Sequence, residues 1–266
     1  MICRRKVKRD RWRGKRELNH LKFRRRIIIA VVLLASLASN AILLGKSADY
    51  YWRMNEFHLD PLGLEAYPPS ASTPEKSNAP GLAVFFGDSR AYAWPPPARA
   101  RFAFVNRGIG NQTSAQALGR FDLHVAPLHP RIIIVQVGVN DLKTIPLFRE
   151  RKQKIVLACK QNIKQIVDKS NALGATVILT TIFPLGELPF DRRLFWSEDV
   201  ALAINDVNDY LRSLANQNVI VFDTGEILAD RNGMVRAEYA YDFLHLNPIG
   251  YRALNQKLAS LLDETK

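Results

Sequence analysis

Four short blocks hold the residues of this 266-residue chain that could do chemistry. Gly87-Asp88-Ser89-Arg90 offers a serine hydroxyl, a useful nucleophile when a base stands beside it. In Asn106-Arg107-Gly108-Ile109-Gly110-Asn111-Gln112-Thr113 the glycines permit a tight turn that can present N–H groups to an anion. Gly138-Val139-Asn140-Asp141 brings an amide and a carboxylate together. Tyr241-Asp242-Phe243-Leu244-His245 sets a carboxylate and an imidazole three residues apart, within reach of one small region. Each block alone has an ordinary structural role as a helix cap, a glycine-rich loop or a surface histidine. Jointly they supply nucleophile, anion-binding loop, amide, carboxylate and base.

The elements that must position these blocks are legible as strands and helices. Apolar runs at 82–86, 102–105, 132–137, 177–181 and 219–222 have strand length and are rich in β-branched or aromatic residues. Between them, Val156, Ile163, Ile166, Val167 and Leu173, and then Val200, Ala203, Ile204, Val207, Leu211 and Leu214, follow the helical period, and Leu254, Leu258 and Leu261 mark a closing helix. This alternation predicts an α/β domain over 81–266, a mostly parallel sheet with helices on both faces. Ligands of such sheets bind beyond the strand C-termini, where all four blocks fall.

The net charge of +13 suggests a nucleic-acid partner until it is divided along the chain. Residues 1–26 hold 13 Lys and Arg against Asp10 and Glu17, whereas the other 240 residues hold 25 basic and 23 acidic side chains. The domain therefore offers no electrostatic reason to bind DNA or RNA, and the basicity belongs to a tail. Residues 27–45 carry no charge and would reach about 28 Å as a helix, close to the thickness of a bilayer core. With Arg24-Arg25-Arg26 on one side, the positive-inside rule predicts a single-pass membrane anchor, its N-terminus cytoplasmic and the domain extracytoplasmic. A cleaved signal ending at Ser39-x-Ala41 is the competing reading, disfavoured by the length of the basic region and of the apolar run. Residues 46–80, with Pro61, Pro68, Pro69, Pro74 and Pro80, are expected as a linker.

Cys3 and Cys159 make neither a disulfide framework nor a zinc site, and Cys159 shares an apolar helical face with Val156, Ile163 and Ile166, as a buried thiol would. The five histidines show no metal-binding spacing, so no metal and no other cofactor is expected.

The order of the four blocks resembles the SGNH hydrolase superfamily, also called GDSL esterases, over about residues 82–262. Gly87-Asp88-Ser89, Asn106 to Thr113, Gly138-x-Asn140-Asp141 and Asp242-x-x-His245 match its successive blocks, and the last is most similar to the platelet-activating-factor acetylhydrolase branch. The resemblance implies a flavodoxin-like sheet and acyl transfer through a serine ester. Ser89 is then the nucleophile, His245 the base and Asp242 its orienting carboxylate, and the oxyanion is held by the backbone N–H groups of Ser89, Gly110 and Asn111 and by the Asn140 side chain. Asn111 replaces the family's glycine, but the donor is a backbone N–H, and asparagine tolerates left-handed angles. Asp88 and Asp141 are expected as loop braces. Gly87-Asp88-Ser89-Arg90-Ala91 lacks the second glycine of the α/β-hydrolase elbow.

The expected activity is hydrolysis of short acyl esters, such as O-acetyl groups on a polysaccharide. Transfer of the acyl group to a sugar hydroxyl and a silent carbohydrate-binding module are the alternatives. Residues 183–196 should overhang the site, where Arg192 and Arg193 would meet an anionic polymer or simply face solvent.

Overall fold

A computed structural model of the chain describes residues 2–68, 81–98 and 101–265. The chain divides into two compact units, Met1–Leu59 and Asp60–Lys266. The first is one helix, α1 (Ile2–Leu59). Its stretch His20–Leu59 contains a window of mean hydropathy 2.6 and is long and apolar enough to cross a membrane. The helix outruns the expected anchor by fourteen residues, because neither proline nor glycine occurs between Lys46 and Leu59. Pro61 disfavours helical angles at Asp60 and Gly63 adopts φ 68°, so the helix stops there. Residues 60–68, also expected as linker, fold onto the second unit. The remainder of that stretch, with Pro69, Pro74 and Pro80, lies outside the described residues.

The second unit is built on five parallel strands, β1 (Leu82–Gly87), β2 (Ala103–Gly108), β3 (Ile132–Gln136), β4 (Thr176–Thr180) and β5 (Val219–Phe222). Their order is β2-β1-β3-β4-β5, the flavodoxin-like arrangement, with its switch point between β1 and β3. Between the strands run α2 (Ser89–Tyr92), α3 (Ser114–His124), α4 (Val139–Leu142), α5 (Lys152–Ala172) and α6 (Asp199–Ser213), and after β5 come α7 (Gly225–Leu228) and α8 (Pro248–Glu264).

Alternate residues of the strands feed two cores. Val84, Phe86, Ile133, Val135, Val177 and Leu179 pack with α3, α5 and α6, and Cys159 is buried among them. Ala83, Phe85, Ile132, Ile134 and Ile178 pack with Trp94 and with Tyr251, Leu254, Leu258 and Leu262 of α8. Each fully buried aliphatic or aromatic side chain contributes about 1.5–3 kcal/mol, which makes these two layers the main stabilising force.

Two elements depart from the expected pattern. Strand β2 runs on to Gly108, so Asn106 and Arg107 pair with Phe85 and Phe86 rather than opening a loop. Helix α3 is announced by no long apolar period, since Ser114, Arg120 and His124 are buried beside Ala117 and Phe121. Its start is marked instead by a reciprocal capping box between Thr113 and Gln116.

The register is what prepares a site. Gly87 stands opposite Gly108 on one side and Gln136 on the other, so three strands end in line. The chain segments after them emerge side by side at the switch point.

Candidate active site

Gly87 takes φ 147°, and a Cβ there would lie 1.7 Å from the Gln136 carbonyl oxygen, so only glycine lets β1 turn this close to β3. The Asp88 N–H then donates to that carbonyl at 3.1 Å, and Asp88 Oδ1 accepts from the Arg90 N–H at 2.9 Å, capping α2. The cap presents Ser89 in the first helical position, half-exposed. Asp88 itself is buried, and burial with help from Asp141 pushes its carboxyl up to about 6 against the pull of Arg90.

The last block folds as a turn organised by Asp242. Its Oδ1 accepts from the N–H groups of Leu244 and His245, both at 2.7 Å, which curls the chain so that the His245 ring comes back to the same carboxylate. His245 Nδ1 lies 3.0 and 2.9 Å from the two oxygens of Asp242. On the other side of the ring, Nε2 lies 3.0 Å from Ser89 Oγ. A carboxylate on Nδ1 assigns the proton to that nitrogen and leaves Nε2 to accept from the serine hydroxyl. Burial pushes Asp242 up, but the hydrogen bonds from the His245 ring and the two N–H groups outweigh it and hold the carboxyl below its usual value. Both side chains keep contact with water, at 35% exposure for His245 and 40% for Asp242.

A pocket of about 120 Å³ opens beside Ser89 and His245, lined also by Arg90, Asn111, Val139, Asn140, Lys143 and Leu244. Asn140 is buried in α4, and its Nδ2 donates to the Gln112 carbonyl at 2.9 Å, which fixes the amide plane. Asn111 adopts φ 63°, the left-handed conformation that the glycine block requires, and its Oδ1 accepts from Lys143 Nζ at 2.8 Å. Gly110 sits at the exposed tip of the turn and is not among the residues lining the pocket. The structure thus brings together Ser89, His245, Asn111 and Asn140, with Asp242 behind the imidazole.

Further residues hold this arrangement in place. Arg90 is fully buried, with Nε donating to the Leu244 carbonyl at 2.8 Å and Nη1 to the Phe183 carbonyl at 3.3 Å. Asp141 acts as a brace, accepting from Ser114 N–H at 2.8 Å and Ser114 Oγ at 2.6 Å, which pins the start of α3 to α4. The 183–196 segment braces the Asp242 turn: the Gly186 N–H donates to the Phe243 carbonyl at 2.9 Å, and the Trp196 ring stands edge-on to Phe243.

Residues 60–68 form a strap over the glycine block. Gln112 Nε2 donates to the Leu62 carbonyl at 2.7 Å, the Tyr67 hydroxyl donates to the Gly108 carbonyl at 2.5 Å, and Arg107 lies over the Tyr67 ring. Among the described residues no group of three or more His, Cys, Asp or Glu side chains is arranged to hold a metal ion.

This geometry can be set beside known proteins. The chain is 27% identical over 166 residues to the platelet-activating factor acetylhydrolase IB subunit alpha2 of Rattus norvegicus and of Homo sapiens, a match covering 60% of this chain and 66% of theirs, just under two thirds of their length. Its fold is similar to that of a GDSL-like lipase from Bacteroides thetaiotaomicron VPI-5482, with TM-score 0.57 at 22% identity, covering 70% of this chain and 89% of that one. It is also similar to the acetyl xylan esterase AlAXEase, with TM-score 0.52 at 21% identity over 68% of this chain and 98% of that one. At those identities the structural likeness speaks for the fold. Residues 75–253 match the family model itself, and with the sheet order and four blocks expected of it, this chain belongs to the GDSL-like lipase/acylhydrolase family.

Proposed function

We propose that this protein is a membrane-anchored serine esterase that removes short acyl groups outside the cytoplasm. The observation that carries the reading is the hydrogen-bonded series from Ser89 Oγ to His245 Nε2 and from His245 Nδ1 to Asp242, beside a small pocket containing Asn140. His245 takes the proton of Ser89 as Oγ attacks the ester carbonyl. Asp242 holds the imidazole's orientation and stabilises its charged form. The oxyanion that develops is met by the N–H groups of Ser89 and Asn111 and by Asn140 Nδ2, the three donors that reach the pocket, each contributing about 3 kcal/mol. His245 then returns the proton to the departing alcohol. A water molecule, activated by the same imidazole, cleaves the acyl-enzyme and regenerates Ser89.

A pocket of about 120 Å³ suits an acetyl or similarly short acyl group better than a fatty chain. The likeness to an acetyl xylan esterase supports a polysaccharide-borne acetyl ester as the natural substrate class. The exposure of His245 lets water reach the acyl-enzyme, which favours hydrolysis over transfer to a sugar hydroxyl. The 13 basic residues ahead of the apolar stretch of α1 favour a cytoplasmic N-terminus.

The test is release of 4-nitrophenol from 4-nitrophenyl acetate by the full chain in detergent, with and without oligosaccharide acceptors. Wild-type turnover that vanishes in Ser89→Ala supports the esterase, and acylated oligosaccharide as the main product would replace hydrolysis by transfer. No turnover and no labelling by a fluorophosphonate would reduce the chain to a binding module. For topology, a C-terminal tag accessible only from the cytoplasmic side would overturn the orientation.

A further inference from the structure

Two cationic side chains, Arg90 and Lys143, line the pocket beside Ser89. Lys143, the residue following α4, is half-buried in its wall, and burial with repulsion from Arg90 and Arg192 outweighs the attraction of Asp88 and pushes its ammonium below the usual lysine value. Its Nζ is held by a neutral group, the Asn111 side-chain oxygen at 2.8 Å. Among the described residues no carboxylate lies within 4.0 Å of it, whereas Lys152, Lys160, Lys164 and Lys169 of the same domain have carboxylates at 2.6–2.8 Å. Arg90 lines the same pocket, and its Nη2 is buried with no hydrogen-bond partner among the described residues.

The nearby acids attract Lys143 only at a distance, and none pairs with it directly. Asp88 faces the α2 cap and its carboxyl is pushed up to about 6, and Asp242 is committed to His245. Keeping an ammonium half-desolvated and unpaired costs free energy that a bound anion would recover. A lysine placed only to orient Asn111 would need no positive neighbours.

Resting on the esterase reading above, we propose that this site selects esters that carry a compact anion close to the scissile carbonyl, with Lys143 as the specificity-determining residue. The anion is a carboxylate or a phosphate, borne either on the acyl group or on the alcohol. Lys143 Nζ pairs with it while Ser89 attacks, and the exposed Arg192 adds longer-range attraction.

Two matched pairs of probes decide the matter with the full-length protein in detergent. 4-Nitrophenyl hydrogen succinate against its methyl ester places the charge on the acyl side, and 4-acetoxybenzoate against methyl 4-acetoxybenzoate places it on the alcohol side. The readout is the ratio of kcat/KM for the anionic over the neutral member, so any loss common to both cancels. The expected wild-type ratio exceeds tenfold in one pair, which also identifies the side. It should drop at least tenfold in Lys143→Met, be largely retained in Lys143→Arg, fall two- to threefold in Arg192→Ala, and shrink in 0.5 M salt. A wild-type ratio near or below one in both pairs, or a ratio unchanged by Lys143→Met, overturns the proposal while 4-nitrophenyl acetate turnover keeps the esterase standing. Inertness toward all five esters removes both. If Lys143→Met does not fold, the wild-type ratio and the Arg192→Ala variant still decide.

Discussion

The Arg90 guanidinium donates to the Leu244 carbonyl at 2.8 Å, tying the residue after Ser89 to the residue before His245. The two halves of the site, 154 positions apart in the chain, are thereby held in one geometry by a single buried side chain. Arg90→Met should cut kcat at least tenfold with little change in KM, because a loosened imidazole weakens proton transfer more than substrate binding. It also deprives the buried Asp88 carboxylate of the cation that offsets its burial, a destabilising change. The double variant Asp88→Asn/Arg90→Met removes that charge, so a folded double variant with wild-type kcat would show that the tie is dispensable.

Asn140 is expected to act differently from the nucleophile. Asn140→Ala removes one oxyanion donor, and turnover should drop roughly a hundred-fold with modest change in KM. A fluorophosphonate should label that variant slowly and Ser89→Ala not at all. Wild-type turnover with a lowered melting temperature would reduce Asn140 to a clasp on the Gln112 carbonyl.

The strap makes the domain begin at Asp60 in functional terms. A chain of residues 60–266 keeps the bonds from Gln112 to Leu62, from Gln116 to Pro61, from Tyr67 to Gly108 and between His124 and Leu64, whereas 81–266 loses all four. At about 1 kcal/mol each, their loss should lower the melting temperature by well over 5 °C and cost turnover as the glycine block loosens. Equal stability and activity of the two chains would demote the strap to a passive tether.

Asp88 predicts a pH dependence of stability. Its carboxyl titrates near 6 in the folded chain against 3.8 unperturbed. Between those values the folded chain holds a proton that the unfolded chain has released, so this group's contribution falls as pH rises from about 4 to 6. Asp88→Asn keeps a side-chain cap and removes the penalty, so its gain over wild type should grow from near zero at pH 4 to roughly 3 kcal/mol by pH 7. Parallel melting curves of the two proteins across that range would contradict the assignment.

Much of this molecule is written locally. The β-branched runs at 132–136 and 176–180 are strands because alternate residues can be buried on both faces, and the basic cluster ahead of an apolar stretch marks α1. Ser89, Asp242, His245 and Asn140 stand out because each lies in a short block of recognisable type and order. Asn111 at φ 63° is foreseeable from its place in the glycine block. Features set by residues close in sequence are legible, since propensity, period and turn chemistry act over one or two turns.

The rest was decided by partners far along the chain. The buried polar side chains of α3 hide its apolar period, and only their reach to Arg107, Gly87 and Asp141 explains why burial suits them. Residues 60–68 look like linker because their own side chains show no periodicity, and the groups that fix them come from Gln112, Gln116 and His124 some fifty to sixty positions on. Nothing local marks Arg90 or Lys143 for the wall of the pocket, where the register of β1 and β3 sets them. A charge has no evident role until the dielectric and the neighbours around it are known, and those are properties of the packed sheet rather than of the order of residues.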